Sequence, residues 1–122
     1  MDALELTGPR GAAASDPRAV RAAHDRALLD FLRGRGTPRA DVARMLAVDP
    51  SFLPGHVLRA GMAVAEKERT AFPALDASLA AGKRLSANAT PRERAHLVAA
   101  RAWRRGRPER ACLLYTSDAA DE

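Results

Sequence analysis

The residue pattern predicts an all-α chain of paired helices laid out as a repeat, and three observations carry that expectation. Alanine is abundant while aromatics make up only 4% of the 122 residues, which favours closely packed helices over strands built from β-branched and aromatic side chains. Apolar residues recur at spacings of three and four, the period of a helix face. Prolines stand where helices begin: Pro17, Pro54 and Pro91 recur every 37 residues, and Pro38, Pro73 and Pro108 every 35. Both intervals fall within the roughly 34 to 40 residues over which paired-helix arrays repeat.

Residues 1–14, with Gly8, Pro9 and Gly11 among small side chains, predict a flexible lead-in. Ser15 and Asp16 offer an N-cap, and Pro17 takes the first helical position, where its missing N–H has no intrahelical partner to lose. The first helix is expected over 17–33, with Val20, His24, Ala27, Leu28 and Phe31 on one face and Arg26 paired with Asp30 on another. Gly34 and Gly36 stop it. Thr37 and Pro38 repeat the cap-then-proline pattern for a second helix over 38–48, whose stripe is Val42, Met45 and Leu46. Proline at 50 restricts Asp49 to extended backbone, so this helix ends near Val48. The stretch from Val48 to His56 is therefore a helix-to-helix corner, with Ser51 or Leu53 outside the next helix and Pro54 in its first turn.

A third helix, expected over 54–68, carries Val57, Leu58, Gly61, Val64 and Ala65 at helical spacing. A fourth follows Thr70 over 71–86, with Phe72, Leu75 and Leu79 as its stripe. Thr90-Pro91-Arg92-Glu93 reads as a capping box, in which threonine oxygen and glutamate carboxylate satisfy each other's free N–H groups, and it opens a fifth helix over 91–105. That helix is apolar on more than one side, through Ala95, Leu97, Val98, Ala99, Ala102 and Trp103, as a helix stacked between two neighbours must be. Gly106 ends it and Pro108 opens a sixth, from 108–111 onward.

Composition bounds the function classes. A length of 122 residues suits one domain, and 47% hydrophobic with 29% charged is an ordinary soluble balance. No apolar run approaches the roughly 20 residues a membrane span needs. Asp2 and Glu5 interrupt the N-terminus, which does not read as a secretory signal, so a cytoplasmic location is expected. The net charge of +5 raises nucleic acid as a partner. Against it, arginine greatly outnumbers lysine, as a GC-rich, bacterial-type coding sequence produces, and the arginines alternate with Asp25, Asp30, Asp41, Asp76 and Glu93 along the chain. A solvated helical surface is the stronger reading.

Candidate chemistry meets the same test. Glu93 and His96 form a Glu-x-x-His pair, half of a di-iron motif, but His24 and His56 have no acid three residues before them and the second half is missing. Capping explains Glu93 better. His24 lies on an apolar stripe and reads as a hydrogen-bonded, partly buried histidine; His56 reads as part of the corner or its packing. Gly82-Lys83-Arg84 lacks both the preceding glycine and the Ser or Thr of a phosphate loop. Arg101, Arg104, Arg105, Arg107 and Arg110 are the densest basic patch, and with Trp103 in their midst they suit stacking on a nucleic acid strand. The competing reading makes Trp103 the packed aromatic of a repeat helix with the arginines as its solvated rim. No catalytic, cofactor-binding or metal-ligating residue is assigned.

Ala43 to Gly61, with Leu46, Asp49, Pro50, Phe52 and Ala60, resembles the junction of two tetratricopeptide repeats. Gly106 followed by Ala111 looks like the turn and small residue of another. The order of Ser15, Asp25 and Ala27, then Asp49-Pro50-Ser51-Phe52 with Gly55-His56, then Pro91-Arg92-Glu93-Arg94 and Gly106 to Ala111 is similar to the N-terminal part of the tetratricopeptide repeat protein 38 family, over residues 12–111. The resemblance implies a tetratricopeptide-like right-handed superhelix of paired antiparallel helices, longer than this chain, with residues 15–111 a truncated part of it. It implies a non-catalytic scaffold that binds a protein or peptide partner on its concave face. Large consensus positions are often arginine or alanine here, as at Arg59, so the family's groove chemistry does not carry over. The alternatives are a basic nucleic-acid-binding helical domain, and the N-terminal part of an enzyme whose site lies beyond residue 111.

Residues 112–122, Cys112-Leu-Leu-Tyr-Thr-Ser-Asp-Ala-Ala-Asp-Glu122, resemble the in-frame translation of a sequencing-library adapter and are expected to be non-native. The single cysteine then says nothing about redox compartment. Without Asp118, Asp121 and Glu122 the formal charge of +5 becomes +8.

Overall fold

The computed structural model describes residues 17–106, and every regular element among them is helical. The α-helices are α1 (Pro17–Leu32), α2 (Pro38–Val48), α3 (Leu53–Glu66), α4 (Phe72–Arg84) and α5 (Pro91–Arg104), with 3₁₀ turns at Arg69–Ala71 and Ser86–Asn88. The expected Ser15/Asp16 cap, the lead-in, the sixth helix and residues 112–122 lie outside the described residues. The protein divides into two compact units, one up to Gly55 and one from His56 on.

In the first unit α1 and α2 pack on one another. The turn between them is a Schellman cap: Arg35 N–H donates to the Asp30 carbonyl at 2.9 Å and Gly34 N–H to that of Phe31 at 3.2 Å. Gly34 has φ +65°, which glycine reaches at no steric cost. Thr37 departs from expectation. Its hydroxyl caps no backbone N–H and donates instead to Asp41 Oδ1 at 3.3 Å, because its ψ of 61° is not the extended geometry that aims a cap inward. The unit's core is Val20, Ala27, Val42, Met45, Leu46 and Leu53. Beyond Val48, Asp49 Oδ1 accepts from Ser51 N–H at 3.3 Å and from the Ser51 hydroxyl at 2.9 Å, a local turn that carries the backbone across Pro50. Leu53 is the first residue of α3 and buried, so of the two alternatives it is Ser51 that lies outside that helix. Gly55 is buried where an added Cβ would stand 2.9 Å from Leu46 Cδ2 and 3.1 Å from Phe52 Cδ2.

The second unit holds the rest of α3 with α4 and α5. The stripe expected on the third helix is too narrow. Val57, Gly61 and Val64 are half-buried and Ala65 is exposed, while Leu58, Ala60, Met62 and Ala63 are buried, so this helix is covered on several sides. It also ends two residues before the expected 68, because Lys67 takes a left-handed φ of 58°. On the fourth helix the expected span 71–86 contracts to α4 with a 3₁₀ turn at each side. Leu75 and Leu79 are buried with Ser78, Ala81 and Gly82. The Thr90 capping box is present in both halves: Thr90 N–H donates to Glu93 Oε1 at 2.9 Å, and Glu93 N–H to Thr90 Oγ1 at 3.1 Å. On α5 Leu97, Ala99, Ala100 and Ala102 are buried, and Val98 is exposed. α4 and α5 pack together, and Gly82 sets how closely: a Cβ there would lie 2.7 Å from Leu97 Cδ1.

Candidate functional site

Two polar assemblies in the second unit stand out from its alanine-rich packing. The first joins α4 to α5. Phe72 and Asp76 are one turn apart on α4, and Trp103 and Arg104 close α5. Arg104 grips Asp76 with two parallel bonds, Nε to Oδ1 at 2.9 Å and Nη2 to Oδ2 at 3.2 Å. Its guanidinium carbon also lies 4.1 Å from the centre of the Phe72 ring, and Phe72 meets Trp103 edge to face at 5.9 Å and 82°. The pair is too exposed to be worth more than about 1 kcal/mol, and it links the first half of α4 to the end of α5.

That geometry decides much about the basic patch. Arg104 has its charge met and its flat face occupied, and Trp103 is half-buried against Phe72. Arg101 is half-buried and Arg105 exposed, while Arg107 and Arg110 lie outside the described residues. The members that stacking on a nucleic acid would need most are engaged within the protein.

The second assembly joins α3 to α4. Arg59 Nε donates to Ser78 Oγ at 2.6 Å, and Ser78 is wholly buried. Burial pushes the Arg59 guanidinium below its ordinary value, since the charged form is the one that desolvation penalises. It remains charged at neutral pH all the same.

The histidines fall into structural settings. His24 Nδ1 lies 3.0 Å from Asp25 Oδ1, and its ring meets Phe52 edge-on at 5.8 Å and 79°. His56 is 5% exposed, which places it in the packing of the corner. His96 is half-buried on α5, one turn after Glu93, whose carboxylate serves the cap. Among the described residues no three of His, Cys, Asp and Glu gather as a metal site, and no helix is long and apolar enough to cross a membrane.

No family model, curated protein or solved structure matches the protein. The site therefore rests on its own geometry. Sequence reading misses both cross-helix assemblies. Asp76 and Arg104 are 28 residues apart and Arg59 and Ser78 are 19 apart, so no local motif joins them. The one signal available is the opposite charge of Asp76 and Arg104 on successive helices, and for Arg59 with Ser78 there is none. Gly82 reads in the sequence only as a fragment of a phosphate loop, and its use is the close approach to Leu97.

Proposed function

We propose that this protein is part of a non-catalytic helical-repeat scaffold, tetratricopeptide-like and akin to the tetratricopeptide repeat protein 38 family, that holds a protein or peptide partner in the cytoplasm. One observation carries the reading. Pro17, Pro38 and Pro91 are the first residues of α1, α2 and α5, and Pro54 and Pro73 the second residues of α3 and α4, so the evenly spaced prolines coincide with helix starts. A small buried residue at the α4–α5 crossing supports it, since stacked helices need close approach.

Affinity capture on the tagged protein from its own lysate tests this. A scaffold retains the same proteins between about 50 and 200 mM salt and after nuclease treatment, because its contacts are not dominated by counterion release. Retention that collapses over that range, with DNA or RNA in the low-salt eluate, favours the nucleic-acid-binding alternative. Failure to retain any protein at either salt counts against the scaffold.

A further inference from the structure

Most side-chain hydroxyls of the described residues are engaged within the protein. Thr37 donates to Asp41 and Ser51 to Asp49, while Ser78 accepts from Arg59 and Thr90 from the Glu93 N–H. Thr70 and Ser86 are exposed, and neither hydroxyl is bonded among the described residues. Their surroundings differ. Thr70 follows Glu68 as well as Lys67 and Arg69, so negative charge added there faces a carboxylate close by in the chain. Ser86 opens the 3₁₀ turn after α4, preceded by Lys83 and Arg84, both exposed. From α5, Arg94 Nη2 donates to the Ser86 carbonyl at 3.1 Å. Lys83, Arg84 and Arg94 make no ion pair among the described residues. The nearest acid along the chain, Glu93, has its Oε1 on the Thr90 N–H.

We propose that Ser86 is a phosphorylation site, accepting the γ-phosphoryl group of a nucleoside triphosphate from a protein kinase, and that Arg94 holds the phosphate once it is attached. Kinases choose substrates partly by charge pattern, and Lys83-Arg84-Leu85-Ser86 places a basic pair just ahead of the acceptor. The pair lies in the last turn of α4, where a helix frays and can be drawn into an active site. The serine oxygen attacks the γ-phosphorus, and the new O–P bond replaces the bond to the oxygen that bridges from the β-phosphate. Nucleoside diphosphate leaves, and the hydroxyl proton passes to a base of the kinase. Phosphoserine carries roughly two negative charges and strong acceptor oxygens. Because Arg94 already holds the carbonyl of this residue, a phosphate on its side chain comes within reach of the same guanidinium, with Lys83 and Arg84 adding positive charge nearby. The modification ties the end of α4 to the first half of α5. This inference does not depend on the scaffold reading.

The full-length protein is incubated with labelled ATP and magnesium, once with a serine kinase that prefers basic residues and once with its own lysate, and the modified residue is located by tandem mass spectrometry. Label on Ser86 is expected, absent in Ser86→Ala and reduced at least about tenfold when Lys83→Ala and Arg84→Ala are combined. All these positions are exposed, and unchanged circular dichroism shows that the variants fold. The phosphorylated protein should melt about 3 °C higher than the unmodified one, and Arg94→Gln should abolish that difference while leaving Ser86 open to phosphorylation. Label found only at other residues, or none from either source, overturns the site. Phosphorylation of Ser86 that raises the melting temperature equally in Arg94→Gln, or not at all in the unaltered chain, overturns the role given to Arg94.

Discussion

At the scale of single residues, stability is set by how well each polar group is met. Thr90 and Glu93 satisfy two of the three N–H groups that the start of α5, with proline at its first position, leaves without helical partners. Replacing Thr90 with Ala is expected to lower stability by about 1 kcal/mol in urea denaturation, and an unchanged midpoint would remove the cap as a source of stability. The Arg104–Asp76 pair sits at the surface, where Coulomb energy is screened, but its two parallel bonds and the Phe72 ring beneath it restrict the guanidinium. A double-mutant cycle of Asp76→Asn with Arg104→Met should return a coupling of roughly 0.5–1 kcal/mol. Coupling indistinguishable from zero in physiological salt would mean that the aromatic packing alone aligns α4 with α5. Arg59 differs from both, since burial desolvates its charge while Nε donates to the Ser78 hydroxyl.

At the scale of helices, ends and crossings decide the architecture. α3 stops at Lys67, whose φ of 58° forces a side chain into the left-handed region that glycine occupies without strain. Lys67→Gly should therefore stabilise the protein by about 0.5–1 kcal/mol despite the greater freedom it gives the unfolded state; a lower melting temperature would argue that the lysine side chain makes contacts that matter. Gly82 poses the opposite case. Alanine in mid-helix is worth about 1 kcal/mol over glycine, but the new methyl would stand 2.7 Å from Leu97 Cδ1, and Leu97 is itself buried with little room to yield. Gly82→Ala is expected to destabilise by about 1–2 kcal/mol net. Adding Leu97→Val should recover most of that loss, and additive destabilisation in the pair would show that the two side chains do not collide.

At the scale of the whole molecule, charge and repetition pull the functional reading in different directions. A net charge of +5 invites a polyanion, yet the best-placed members of the basic patch, Arg104 and Trp103, face Asp76 and Phe72. Binding of a labelled uridine oligonucleotide, followed by anisotropy, should be weak, with a logarithmic salt slope shallower than about −2, as few phosphates would be neutralised. A slope near the value for about six or more contacts would reinstate the nucleic-acid reading. Among the described residues, the regular spacing of prolines at helix starts is the feature on which the proposed scaffold rests.

Helix identity is legible in the sequence because it is governed by local chemistry. Pro17, Pro38, Pro54, Pro73 and Pro91 lack an N–H that a helix start does not need, Gly34 reaches a φ that other residues avoid, and Thr90 with Glu93 carries its cap in four consecutive residues. The sequence by itself thus determined the helical class of the described residues and, to within about two residues, where their helices start and stop. What covers each helix is not legible, because burial depends on neighbours distant in sequence: the buried set of α3 is wider than its spacing predicts, and Thr37 has the position of a cap but turns its hydroxyl to Asp41. The pairings of Arg104 with Asp76 and of Arg59 with Ser78, and the close approach of Leu97 to Gly82, were decided by tertiary structure alone. Their partners are brought together by how α4 packs against its neighbours, and no spacing within one helix encodes that.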